Sequence, residues 1–137
     1  MKIALSTKPL SEVNNSYIVI PVFDSIKPNY NGIISDFITE NPKFGKLFES
    51  QLLYSKDRKI LLLGAGKKDK IDYFNLQNWV GTAIKVLAKK TKDVTLILPE
   101  TGDLTANQVG EAVGIGAEIA AFEHNKAYKS EPESNKL

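Results

Sequence analysis

The sequence predicts an α/β fold, and three neighbouring segments lead to that prediction. Residues 60–63 are continuously apolar, which is typical of a strand covered on both faces of its sheet. An amphipathic helix follows Asp72, because apolar residues then recur at steps of three and four. These residues are Leu76, Trp79, Val80, Ala83 and Leu87. A further apolar run at 94–98 completes a predicted βαβ unit over residues 60–98, with parallel strands and a right-handed crossover.

Two short strands and a helix are predicted before this unit. Lys2–Thr7 alternates apolar and polar residues, which indicates a strand. Tyr17–Phe23 is rich in β-branched and aromatic residues and predicts a second strand. Pro21 lacks an N–H group, so it indicates an edge position, a bulge or the end of that strand. Apolar residues at 33, 34, 37 and 38 have the spacing of one helical face and predict a helix over 33–39. Turn-forming residues separate these elements at 14–16 and 25–32.

A hairpin is predicted immediately before the βαβ unit. The stretch 49–55 and the apolar run from Ile60 are separated by a short charged turn, which favours two antiparallel strands. The same loop also permits a connection to another part of the fold.

The final helix is predicted from its cap and its small residues. Thr105 and Gln108 have the spacing of a capping box, and the helix is expected to run to about Glu123. Three glycines fall inside it, namely Gly110, Gly114 and Gly116. Because each interior glycine costs about 1 kcal/mol relative to alanine, we expect this helix to approach a sheet or a second helix closely.

Composition indicates one soluble domain and excludes several functions. The chain has 137 residues, 42% of them hydrophobic and 25% charged, which is the balance of an ordinary globular domain. A formal net charge of +2 gives little support to nucleic-acid binding. The absence of cysteine excludes disulfides, thiolate metal sites and a cysteine nucleophile. No apolar run approaches the roughly 20 residues of a membrane span, and no secretory signal is evident, so a cytoplasmic location is expected.

The stretch "GAGKKDK" at 64–70 is the candidate ligand site. Backbone N–H groups of Gly64, Ala65 and Gly66, with the charge of Lys67 or Lys68, are suited to a phosphate. The pattern lacks the third glycine of a dinucleotide fingerprint, since Asp69 stands there, and it lacks the spacing of a P-loop. The low specificity of a bare G-x-G favours a tight exit from a buried strand beside solvated lysines.

No catalytic constellation is evident, and no metal site is predicted. His124 is the sole histidine, which is too few for the common zinc sites and is typical of a helix-end surface residue. The paired carboxylates lie in polar segments where capping and solubility explain them, and the serines lack a G-x-S-x-G context. These carboxylate pairs are Asp69 with Asp72 and Glu131 with Glu133. Trp79 lies on an apolar helical stripe, so core packing is favoured over base stacking.

Three stretches together resemble the N-terminal domain of the leucyl aminopeptidases, the cytosol aminopeptidase family. They are "KILLLGAGKKDKIDYFNLQNWVGTAIKVLAKK", "VTLILP" and "GEAVGIGAEIAAFEHNKAYKS", and the resemblance covers about residues 1–130. The aromatic-rich ending of the family's helix is matched in part, by Phe122, Tyr128 and Lys129.

The resemblance implies a fold for this chain and places catalysis in a separate domain. The family's N-terminal domain is similar to macro domains, so it implies a three-layer α/β/α architecture with a mixed sheet. Residues 1–125 would form this macro-like domain, and the polar residues 126–137 a linker towards an absent catalytic domain. Family members remove N-terminal residues from peptides with two divalent ions, zinc or manganese, held in a larger C-terminal domain. No catalytic residue and no metal ligand is therefore assigned to this chain.

Two functional hypotheses follow from the resemblance. In the first, the chain is a non-catalytic domain that serves assembly of a hexamer and access to the active site of a cytoplasmic peptidase. In the alternative, it is a stand-alone macro-type module, whose residues 64–68 hold a phosphate of ADP-ribose or a related nucleotide. Fold similarity alone supports the alternative weakly, because function belongs to sites rather than folds.

Overall fold

Five strands and three helices make up the described part of the chain. The computed structural model describes residues 2–5, 17–24, 32–55, 58–68, 70–99, 101 and 103–135, with side chains at all of these except 2 and 121–135. The elements in chain order are β1 (Lys2–Leu5), β2 (Tyr17–Phe23), α1 (Ile33–Glu40), β3 (Ser50–Tyr54), β4 (Lys59–Gly66), α2 (Tyr73–Leu87), β5 (Asp93–Leu96) and α3 (Ala106–Asn135). The turn predicted at 14–16 and residues 25–31 of the loop predicted at 25–32 lie outside the described residues.

The strands form one mixed sheet in the order β1-β5-β2-β4-β3. The pairs β1 with β5, β5 with β2 and β2 with β4 are parallel, whereas β3 and β4 are antiparallel. The predicted hairpin and the parallel orientation of the βαβ strands are therefore confirmed. The sequence did not indicate that β2 lies between the two strands of that unit.

Strand β4 shows why the fold has three layers. Ile60 and Leu62 are buried in a cluster with residues of α1, whereas Leu61, Leu63 and Ala65 are buried in a cluster with residues of α2 and α3. Because successive side chains point to opposite faces, a continuously apolar strand needs a cover on both sides. The α/β/α architecture with a mixed sheet, which the family resemblance implied, is confirmed.

Pro21 occupies a local edge within a central strand. The carbonyl of Val19 accepts a 3.0 Å hydrogen bond from the amide of Ile97, just past the end of β5. Residues two apart direct their backbone polar groups to the same side of a strand, so Pro21 faces the side where the pairing with β5 has already ended. The missing N–H group therefore costs the sheet no ladder hydrogen bond.

Both predicted helix caps are confirmed. The carboxylate of Asp72 accepts a 2.8 Å hydrogen bond from the amide of Asn75 at the start of α2. The amide of Gln108 donates to the hydroxyl of Thr105 over 3.1 Å, and the side chain of Gln108 accepts from the amide of Thr105 over 2.9 Å. This reciprocal pair is the capping box that the spacing predicts.

The glycines of α3 do not all act as predicted. A Cβ atom at Gly116 would collide with the carbonyl oxygen of Gln77, so this glycine lets α3 pack closely on α2. The prediction of close contact is wrong for Gly110 and Gly114, because no described atom lies within 4 Å of a Cβ built at either position. Of the three glycines, Gly116 alone closely approaches the described residues of α2.

A polar contact also joins α2 to α3. The Tyr73 hydroxyl donates a 2.9 Å hydrogen bond to the Glu111 carboxylate. The pKa of Tyr73 is raised above its ordinary value. The causes are the loss of solvent around the phenol, this hydrogen bond and the negative charge of Glu111.

Helix α3 is longer than the sequence predicts. It extends to Asn135, so the predicted end near Glu123 is wrong. Apolar periodicity stops there, but a nucleated helix can continue without it, because each added residue that carries an N–H group contributes a backbone hydrogen bond. The assignment of residues 126–137 to a linker, and of residues 1–125 to the domain, stays a prediction. None of the described helices combines the length and hydropathy that a bilayer crossing requires.

Candidate functional site at the end of strand β4

The four candidate ligand-binding residues lie together at the carboxyl end of β4. Gly64, Ala65 and Gly66 are the last three residues of the strand, and Lys67 follows it. Ala65 is buried and Lys67 is exposed. Open α/β sheets bind ligands outside the carboxyl ends of their parallel strands, so the location itself suits a binding site.

A loop formed by residues 41–49, hereafter the capping loop, covers this end of the strand. The amide of Gly64 donates to the carbonyl of Glu49 over 2.6 Å, and the amide of Gly66 donates to the carbonyl of Gly45 over 2.9 Å. In return, the Gly64 carbonyl accepts from the amide of Phe48 over 2.9 Å. A phosphate cradle needs glycine amides that face the anion. Here both glycine amides donate to the loop, and ligand binding at residues 64–67 stays a prediction.

Two glycines allow the capping loop to lie directly on the sheet. A Cβ atom at Gly64 would collide with the carbonyl oxygen of Lys46 and would lie 2.8 Å from its carbonyl carbon. Gly45 has a φ of +134°, and a Cβ atom there would lie 2.6 Å from the carbonyl oxygen of Phe23. Glycine at positions 45 and 64 is therefore a requirement of the close backbone approach.

Side chains hold the capping loop in shape. One carboxylate oxygen of Glu49 accepts hydrogen bonds from the amides of Gly45 and Lys46, at 2.9 and 3.2 Å. The ring of Phe44 is buried and packs edge-to-face on Phe37 of α1, with 5.2 Å between the ring centroids. The loop is thus tied both to itself and to α1.

A surface cavity of about 420 Å³ opens beside the capping loop. Its lining residues are Asn41, Pro42, Lys43, Phe44, Lys46 and Glu49. The Glu49 carboxylate already accepts from two backbone amides, and the lining contains no histidine, serine or cysteine that could form a nucleophile–base pair. The described lining therefore contains no serine–histidine or cysteine–histidine pair.

Sequence reasoning missed the capping loop. Pro42 and Gly45 in the stretch "NPKFGK" were the available signal, because proline and glycine mark turns. These residues predict a loop but do not indicate which strand the loop will cover.

The remaining candidate residues either have a structural role or lie outside the described side chains. Trp79 is fully buried, and its ring N–H donates to the carbonyl of Leu63 over 3.3 Å, which confirms the core interpretation. Asp72 caps α2. Outside the described side chains lie Asp69, His124, Glu131 and Glu133. Among the side chains that are described, no group of three acidic or histidine residues is arranged to hold a metal ion.

Comparison with protein families identifies one domain over most of the chain. Residues 19–132 match the family described as the cytosol aminopeptidase family, N-terminal domain. A probable cytosol aminopeptidase of Solibacter usitatus is 28% identical over 142 aligned residues, which cover 100% of this chain and 29% of that protein. A probable cytosol aminopeptidase of Buchnera aphidicola is 29% identical over 114 residues, or 73% of this chain and 23% of that protein.

A solved structure agrees with the fold. A mutant of tomato leucine aminopeptidase superposes with a TM-score of 0.53 at 14% identity, covering 85% of this chain and 28% of that one. The chain spans less than a third of the length of the curated relatives it matches. These comparisons give no support to the alternative of a stand-alone nucleotide-binding module. The chain belongs to the cytosol aminopeptidase family and corresponds to that family's N-terminal domain.

Proposed function

We propose that this chain is the non-catalytic N-terminal domain of a cytoplasmic leucyl aminopeptidase. The observation behind the proposal is the match of residues 19–132 to the N-terminal domain alone, within relatives more than three times as long. The parent enzyme would release N-terminal amino acids from peptides by metal-dependent hydrolysis. Its active site would lie in a C-terminal catalytic domain.

The donor groups of the described residues support this division. Zinc and manganese sites need several histidine, aspartate or glutamate ligands brought together, and the described side chains offer no such group. The residues described here therefore do not fit the two divalent ions of the family. We assign those ions to the catalytic domain, and no step of the hydrolysis to this chain.

The capping loop supports a structural role as well. The carboxyl edge of the sheet is where an α/β domain usually binds its ligand. In this chain the capping loop covers that edge at β4. Its backbone carbonyl groups accept hydrogen bonds from the amides of Gly64 and Gly66. The role we propose for the domain lies on its outer surface, in the assembly of a homo-hexamer and in shaping access to the active site.

A domain exchange tests the proposal. The N-terminal domain of the Solibacter usitatus protein is replaced by this chain, and the hybrid is compared with the same protein lacking that domain. We expect the hybrid to assemble and to hydrolyse leucine amides faster than the truncated protein, measured by light scattering and a release assay with added manganese or zinc. As a control, the corresponding domain of the Buchnera aphidicola relative is exchanged into the same protein.

The control makes a negative result informative. If the Buchnera aphidicola domain restores assembly and turnover while this chain restores neither, the proposed role in assembly and access is wrong.

A further inference from the structure

Strand β3 forms one edge of the sheet built by the described strands. β3 is the last strand in the sheet order, and no described strand pairs with its outer side. Natural edge strands usually carry a charge, a proline or a bulge that blocks pairing with another chain. Ser50–Tyr54 has the sequence SQLLY without any of these, and its register with β4 is regular over all five residues. The opposite edge, β1, is shorter and carries Lys2.

The hydrogen bonds of β3 show which residues face outwards. The carbonyl of Glu49 accepts from Gly64, and the amide of Ser55 donates to Arg58, so both groups point towards β4 and its turn. Because backbone polar groups alternate sides along a strand, Ser50, Leu52 and Tyr54 direct their N–H and C=O groups away from β4. One of these, the Leu52 carbonyl, accepts a 3.2 Å hydrogen bond from the side chain of Gln51. A carbonyl oxygen has a second lone pair for a partner strand.

We propose that β3 pairs antiparallel with β3 of a second copy of this chain, so that two five-stranded sheets join into one of ten strands. With a two-fold axis at Leu52, residue 52 faces its own copy and Ser50 faces Tyr54 of the other chain. This register pairs the outward groups of all three residues at once. A second copy can bond to the outward N–H and C=O groups of this edge, because the outward positions are symmetric about Leu52.

Side chains and charge favour the same occupant. Leu52 packs with the cluster under α2 and α3, so the alternating side chains of Ser50 and Tyr54 lie on that face as well. Tyr54 is 57% exposed and would gain apolar contact across the joint. The chain's formal net charge of +2 gives little repulsion between copies. The inference gives the proposed assembly role a surface, and its test needs no peptidase activity.

A pair of charge variants tests the register. Ser50→Lys with Tyr54→Lys places like charges opposite each other twice, whereas Ser50→Glu with Tyr54→Lys places opposite charges there. Both positions are exposed, so both variants should fold, which circular dichroism verifies. In sedimentation velocity at about 10 to 200 μM, we expect dimers for the unmodified chain and for the Glu/Lys variant. The dimer dissociation constant of the Lys/Lys variant should be at least about tenfold higher.

Cross-linking tests the same pairing independently. The sequence contains no cysteine, so Ser50→Cys with Tyr54→Cys introduces the sole thiols. Directly opposite residues in the proposed register lie about 5.5 Å apart at Cα, within disulfide range, whereas positions 50 and 54 of one strand lie about 13 Å apart. We expect oxidation to give a covalent dimer joining position 50 of one copy to position 54 of the other. A monomeric unmodified chain, equal dissociation of the two charge variants, or absence of the 50-to-54 bridge would each overturn the proposal.

Discussion

Gly64→Ala should lower the free energy of unfolding by about 3 kcal/mol, because the added methyl group displaces the capping loop. The new Cβ atom would collide with the carbonyl oxygen of Lys46, which is backbone and has no rotamer to change. Moving the loop breaks three backbone hydrogen bonds between residues 45–49 and 64–66. Equilibrium unfolding in urea, followed by the fluorescence of the single tryptophan, measures the loss.

Gly110→Ala is the matched control for this substitution. No described atom lies within 4 Å of a Cβ atom at position 110, and the residue lies inside α3. The same chemical change should therefore raise stability by about 0.5 to 1 kcal/mol through helix propensity. Equal effects of the two substitutions would contradict the close approach of loop and strand.

Trp79→Ala should have the other large effect, a loss of about 3 to 5 kcal/mol. The side chain is fully buried between α2 and the sheet, so its removal leaves a cavity in the larger of the two clusters. The Leu63 carbonyl also loses the hydrogen bond from the indole N–H group. Thermal unfolding by circular dichroism should show a Tm lower by about 10 to 20 °C for a chain of this length.

Phe74→Ala provides the comparison on the same helix. This ring is 68% exposed, although it contacts Tyr73 edge-to-face at 5.3 Å. Its removal should cost less than about 1 kcal/mol. If the two aromatic substitutions lowered Tm by similar amounts, the apolar face assigned to α2 would be wrong.

Local signals account for the parts of the fold that the sequence predicted. The Asp72 cap, the Thr105–Gln108 box and the apolar run of β4 each depend on residues within a few positions of one another. The insertion of β2 between β4 and β5 joins segments far apart in sequence, so no local pattern encodes it. The glycines of α3 illustrate the same limit, because composition marks small residues without showing which of them faces α2.

The sequence marked residues 64–66 for a close approach but did not identify the partner. The glycines at 64 and 66 marked a backbone that must come close to something. A phosphate and the carbonyl groups of another loop both satisfy that requirement, since both accept hydrogen bonds from glycine amides. The sequence does not show that the carbonyl groups of Gly45 and Glu49 accept hydrogen bonds from these amides, because that contact depends on where the loop lies in space.

An assay of the purified 137-residue chain on leucine amides, with manganese or zinc added, decides whether this domain has an active site of its own. We expect no turnover above the rate of the metal ions alone. Hydrolysis that depends on the chain, saturates with substrate and disappears on chelation would contradict it.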